Sequence, residues 1–266
     1  MDVFDIKKAR LLYRIALDPV KDGRGVPMPA RILSVDILDS SLLIVSIGEG
    51  GFRNLWLYRK YRLKKLAGEE RKLYIKEARF SSDGFAVLGT FGSEAVLYGI
   101  EEGYEAYRRG VSESTIGDMV VSGDGERAIF SDEAGEIRVV DIGSGKTVRK
   151  VDSRHLDKIG SLAYEKGVLI SGGHDRKVGI HSDGSDSYYI DAGFPVFCVG
   201  LSPDAKIGVF LRGDDQVLQL FDVKSGKLTD RLVGHSAIVN QIRFVANRTL
   251  LTSERGNRVL LWHIGE

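Results

Sequence analysis

The chain has 266 residues, a formal charge of +1, and is 43% hydrophobic and 28% charged. This excludes a disordered polyelectrolyte and gives no global attraction to nucleic acid or acidic surfaces. The single cysteine, Cys198, excludes an internal disulfide and a four-cysteine metal site, and no run of about eighteen apolar residues is present to span a membrane as a helix.

The amino terminus, MDVFDIKKAR, lacks the apolar core of a signal peptide, so the visible sequence reads as cytoplasmic; a periplasmic address would require sequence upstream. Within residues 1–17, VFDI and ARLLYRIAL read as two strands. Residues 18–29, DPVKDGRGVPMP, contain three of the five prolines and read as a connector that projects from the fold. In it Val26, Pro27 and Met28 would be exposed without purpose unless they dock, so Arg24 and Met28 are candidate contacts.

From residue 30 to 266 one layout recurs: an apolar strand, a turn, a second apolar strand, a Gly/Asp-rich turn and a third strand ending near aspartate. It spans 32–58, 78–100, 118–142, 161–182, 198–223 and 241–264. Phe80, Val120, Ala163, Leu201 and Phe244 fall at equivalent places roughly every forty residues, the length of a four-stranded propeller blade. More polar segments, 104–110, 146–153, 186–192 and 227–234, supply outer fourth strands. The thirty-two glycines suit so many tight turns. The expected fold is one all-β domain, a β-propeller of six nearly complete four-stranded blades with a partial blade at the amino terminus. Two arrangements remain open. Residues 1–17 are the end of a seventh blade, or residues 9–17 close the last unit, which ends without a fourth strand of its own.

The last unit resembles the WD40-repeat family: Gly234-His235 precedes its first strand and Leu261-Trp262-His263 closes its third, with His263 in place of the usual aspartate. Asp141 and Asp222 end other third strands, and Phe4-Asp5 is a partial copy. The resemblance implies an aspartate between the second and third strands that bonds to backbone and to the opening histidine; Asp132 and Asp175 stand at or next to that place, and Glu254 or Arg255 in the last unit. Because these units depart from the family pattern, the hydrogen-bonded relay is expected to be incomplete in every blade. Residues 112–142, 161–180 and 194–210 further resemble the WD-repeat accessory protein encoded with bacterial periplasmic nitrate reductase, which implies a helper that works through protein contacts.

No catalytic, cofactor or metal residue is assigned. His155, His174, His181, His235 and His263 lack the spacing of a zinc-binding helix; His235 reads as structural and His174 as part of an exposed turn. IGEGGF at 47–52 reads as a hairpin turn rather than a phosphate loop, the Ser-Asp-Gly triplets at 82–84 and 182–184 as turns, and Cys198 as a buried small hydrophobe. Charge is uneven: between Arg53 and Arg79 ten basic residues face three acids. The cluster RKYRLKK, 59–65, is expected on an outer strand and the loop after it. Arg53, Arg59, Lys60, Arg62, Lys64 and Lys65 are therefore candidate interaction residues. Tyr58, Tyr61 and Tyr74 could stack on bases, but no nucleic-acid reading motif accompanies them. The expected function is a non-catalytic protein-binding scaffold, acting as a monomer or within a hetero-complex. The alternatives are a propeller enzyme with a small-molecule site in its central channel and an anionic-surface or nucleic-acid binder through residues 53–79.

Overall fold

A computed structural model describes residues 1–82, 84–183 and 186–265. Asp83 and Gly184, and with them the full reading of the two Ser-Asp-Gly triplets, lie outside the described residues. The chain forms antiparallel strands joined by short turns and two single turns of 3-10 helix, Glu49–Gly51 and Glu69–Arg71. Contacts divide it into two compact units, Met1–Glu113 with Ile142–Lys146, and Ser114–Asp141 with the chain from Thr147 onward.

In the first unit, β1 (Asp2–Asp5) and β2 (Arg10–Arg14) form a two-stranded sheet, and β3 (Val20–Lys21) and β4 (Pro27–Met28) another. Then come two four-stranded sheets in chain order: β5 (Ile32–Leu38), β6 (Ser41–Ile47), β7 (Arg53–Arg59) and β8 (Arg62–Ala67), followed by β9 (Ile75–Phe80), β10 (Phe85–Thr90), β11 (Glu94–Gly99) and β12 (Tyr104–Gly110). Residues 10–14 thus take β1 as their partner, with Asp2 opposite Arg14 and Phe4 opposite Leu11. Apolar burial fixes this hairpin: Val3, Tyr13 and Ile15 pack on Leu42, Ile44, Trp56 and Tyr58. The connector is itself folded, because the Asp22 carboxylate accepts bonds from the amides of Arg24 (2.8 Å) and Val26 (2.9 Å) and closes the β3–β4 turn.

The second unit contains three four-stranded sheets and a last one of three strands. They are β13 (Ile116–Val121), β14 (Arg127–Asp132), β15 (Ile137–Asp141) and β16 (Lys146–Val151); β17 (Ile159–Glu165), β18 (Val168–Gly173), β19 (Lys177–Ser182) and β20 (Tyr188–Asp191); β21 (Val199–Leu201), β22 (Ile207–Leu211), β23 (Leu218–Asp222) and β24 (Leu228–Leu232); and β25 (Val239–Ala246), β26 (Thr249–Glu254) and β27 (Val259–His263). Six sheets in this meander order, with the two-stranded β1–β2 sheet ahead of them, make the fold an all-β, WD40-like propeller.

The inner strands of most sheets are rich in buried apolar residues, because within each unit sheet packs on sheet. In the first unit Leu43, Val45, Leu55 and Leu57 share one core with Ile75, Ala78, Leu88 and Val96; in the second, Ile170, Val178 and Ile180 share one with Val199, Phe210 and Phe221. Fourth strands are largely exposed, as in Lys146–Val151, which keeps outer edges polar and resists edge-to-edge aggregation. Side chains also latch neighbouring sheets. The amide of Phe80 donates to Asp36 (2.8 Å) and that of Leu162 to Asp118 (2.7 Å), each across a separation of 44 residues.

Candidate functional site

Strands β7 and β8 meet in the two-residue turn Lys60–Tyr61, at φ 50° and 61°. The cluster 59–65 therefore occupies the end of β7, a turn and the start of β8, rather than an outer strand and the loop beyond it. The outer strand begins at Arg62 because Leu63 joins the apolar cluster of Trp56 and Tyr58. Several of the cations are held from within. Arg59 donates to Ser41 (3.0 Å) and to Glu101 (2.9 Å), and Lys64 to the Glu101 carbonyl (3.5 Å). The Lys65 ammonium sits 4.8 Å from the centre of the Trp56 ring, and the Arg53 guanidinium 5.4 Å from that of Phe91. Arg79 pairs with Glu77 at 2.8 Å, both side chains nearly buried. Lys60 and Arg62 are exposed, and their side chains make no hydrogen bond or ion pair among the described residues.

The three interleaved tyrosines have different surroundings. Tyr58 is buried with Tyr13 stacked on it at 5.6 Å, and Tyr74 leans on Phe52 at 5.2 Å. Tyr61 is 85% exposed. Arg24 and Met28 stand on the small β3–β4 hairpin, both exposed.

Within the second unit lie buried polar chains. In the last sheet His235 Nδ1 meets Glu254 Oε2 at 2.7 Å, His235 Nε2 meets Thr252 Oγ1 at 2.6 Å, and Trp262 Nε1 donates to the same Oγ1 at 2.7 Å. The expectation that no blade completes the relay is thus corrected: glutamate, one methylene longer, reaches the histidine where the family carries aspartate. Glu254 also accepts from the Ser236 amide (2.9 Å) and hydroxyl (3.1 Å). Burial opposes its charge, but the bonds from His235 and Ser236 prevail and hold its pKa down to about 2.

The sheet β17–β20 repeats the arrangement with a histidine in the tryptophan position. His155 Nδ1 lies 2.9 Å from Asp175 Oδ1, and its Nε2 lies 2.8 Å from Ser171 Oγ. Ser171 Oγ is 3.0 Å from His181 Nε2, whose Nδ1 is 2.9 Å from Ser187 Oγ. With Asp175 ionised, proton order follows: His155 donates to Asp175, Ser171 to His155, His181 to Ser171 and Ser187 to His181. Gly179 makes room for this chain, since a Cβ there would lie 2.6 Å from Ser171 Oγ and 2.8 Å from His181 Nε2. Burial lowers the His155 pKa against the pull of Asp175, and burial followed by the nearby His155 and Arg149 lowers that of His181 to about 4. Asp, His and Ser stand in the order used by serine hydrolases, but Ser171 is 0% exposed and its hydroxyl is enclosed between His155 and His181.

Of the remaining repeat aspartates, two close turns: Asp132 accepts from the amides of Ala134 (3.0 Å) and Glu136 (2.8 Å), and Asp222 from the amide (2.8 Å) and hydroxyl (2.6 Å) of Ser225. Asp141 instead pairs with the Arg127 guanidinium (2.6 Å) directly opposite on the neighbouring strand. Gly234 lies against the Trp262 ring, a Cβ there falling 3.1 Å from it. His174 is half-buried rather than exposed, because it packs edge-on against Phe197 at 5.4 Å. Burial pushes the Cys198 thiol up to about 12. Among the described residues no group of three His, Cys, Asp or Glu side chains is placed to hold a metal ion, and no helix is long and apolar enough to cross a membrane. The sequence reading missed His155 as the partner of Asp175, because it precedes its strand without the preceding glycine. It also missed the inter-sheet latches Asp36 and Asp118, for which the 44-residue offset to the receiving amide was the available signal.

The fold and its relays are those of a WD40-like β-propeller. No protein-family profile matches the chain. It is similar to autophagy-related protein 16 of Arabidopsis thaliana, 29% identical over 148 residues, a match taking in 53% of this chain and 28% of that protein. The chain therefore matches less than a third of that relative's length.

Proposed function

We propose that the protein is a non-catalytic scaffold that binds another protein, with the basic β7–β8 hairpin as its main contact. The observation that carries this reading is the pair of solvent-facing cations, Lys60 and Arg62, on either side of the exposed Tyr61. Their neighbours are engaged from within, Arg59 by an ion pair with Glu101 and Lys64 by a hydrogen bond to the Glu101 carbonyl. On the opposite edge of the same sheet, strand β5 exposes Val35 (41%) and Ile37 (65%); residues two apart on a strand face one way, so these two share a face of the kind protein interfaces cover. Nucleic acid is a poorer fit, because two of the three tyrosines that would stack on bases are engaged by Tyr13 and Phe52.

The narrower role, a helper of a periplasmic nitrate reductase, rests on the sequence resemblance of the central and distal units. Affinity capture of the protein from its native cells after crosslinking, read by mass spectrometry, tests both levels. A specific protein partner supports the scaffold, and recovery of the reductase or its maturation proteins supports the narrower role. Failure to recover any specific protein with folded, abundant bait refutes the scaffold reading.

A further inference from the structure

Both residues of the β7–β8 turn occupy the left-handed region, where glycine and asparagine are the low-strain choices for a two-residue hairpin. The protein supplies its own comparison. The turn between β17 and β18, Lys166–Gly167, has φ 49° and 80°, and glycine fills its second place. In the β7–β8 turn that place is taken by Tyr61, whose ring meets Tyr13 edge-on at 6.1 Å and is otherwise turned to solvent, at 85% exposure. Folding alone favours glycine there. Exposed aromatic area and an unfavourable backbone at one tip are two independent observations, and both are explained if the ring is used outside the fold.

Building on the protein-binding reading, we infer that Tyr61 is the anchor residue of this surface, inserted into an apolar recess of a partner protein whose rim is acidic and pairs with Lys60 and Arg62. Tyrosine combines a large rigid contact area with a polar tip, and such residues carry much of the affinity at interface centres while flanking charges set approach and register. The acidic rim follows from charge. The two free cations have no neighbouring acid engaged with them, whereas Glu101 is already used by Arg59. Glu101 also interrupts a continuous basic track for a phosphate backbone, which favours a protein over a nucleic acid as occupant.

The test compares the wild-type chain with the double variant Lys60→Asn/Tyr61→Gly, which installs the preferred turn, and with Arg62→Glu. The first probe is a fluorescein-labelled peptide alternating paired glutamates with leucine and phenylalanine; the second is an oligothymidine of equal charge. Expected is salt-sensitive binding of the peptide by the wild type, weakened about tenfold or more in both variants. The turn variant should melt roughly 2–4 °C higher, since relieved strain exceeds the lost edge contact with Tyr13. Equal peptide binding by wild type and variants overturns the anchor role while leaving a scaffold with another binding face. No peptide binding by the wild type overturns the acidic-rim inference, and the scaffold reading is then judged by the capture experiment alone. A lower melting temperature in the turn variant refutes the strain argument, and tighter binding of the oligothymidine that the variants lose reassigns the tip to nucleic acid.

Discussion

Mild acid should weaken the second unit through its buried histidine chain. His181 has an ordinary pKa of 6.5 that the folded surroundings lower to about 4, so between these values the unfolded chain holds a proton that the folded chain refuses. The stability linked to this group is fully present above about pH 6.5 and is lost as pH falls toward 4. At pH 5 the loss comes to about 2 kcal/mol, from a full shift worth about 3 kcal/mol at the lower limit; His155, lowered in the same direction, adds to it. The assay is urea unfolding at pH 7.5 and pH 5, followed by fluorescence, with His181→Phe as comparison. That variant is expected to lose about 1 kcal/mol at pH 7.5 through its missing bond to Ser171, yet to fall by about 2 kcal/mol less than wild type on moving to pH 5. Glu165, whose carboxyl is pushed up by burial, is common to both proteins and cancels in the comparison, and stopping at pH 5 spares the carboxylates that are held low. Asp204 and Asp222, held low chiefly by hydrogen bonds from Ser202 and Ser225, release their contribution only at lower pH. Equal losses in both proteins would refute the assignment of the acid sensitivity to this chain.

Replacing Gly179 with alanine should destabilise the protein by about 1–3 kcal/mol, read as a lower urea midpoint, because the new methyl meets Ser171, His181 and the Tyr189 ring within 3 Å. Cys198, 2% exposed with its thiol raised to about 12, should resist a thiol reagent in the native protein at pH 8 and react fully in denaturant; rapid native reaction would contradict its burial. Lys60→Glu/Arg62→Glu should leave stability within about 0.5 kcal/mol of wild type by urea unfolding, since neither residue has an internal partner. His155→Ala, by contrast, should cost about 3 kcal/mol by the same assay, because it removes one bond from each of Asp175 and Ser171 and leaves a cavity where the buried ring stood.

The repeat was legible because blade architecture imposes a period on the chain. Fourth-strand segments such as 104–110 coincide with β12, whose polarity follows from its outer position. Asp132 and Asp175 were placed through the family resemblance, which marks the turn between the second and third strands, where the Asp132 carboxylate does accept from amides two and four residues on. The relays were less legible. Glu254 substitutes for aspartate and His181 for tryptophan, and whether such exchanges preserve a hydrogen bond depends on distances of a few tenths of an ångström that no motif encodes. The β7–β8 hairpin was misplaced by a few residues because Lys60 and Tyr61 carry none of the glycine or asparagine that normally marks a two-residue turn. The connector was read as a projecting loop because its prolines obscured Asp22, whose carboxylate organises the β3–β4 hairpin.

The proposal that this propeller binds a protein through its basic hairpin is tested most directly by placing a photo-crosslinking residue at position 62, and as reference at position 228 on the exposed outer strand β24, and irradiating native cells. A discrete adduct with one protein from position 62, absent from position 228, is the predicted result. No adduct from position 62, or the same spectrum of adducts from both positions, would contradict it.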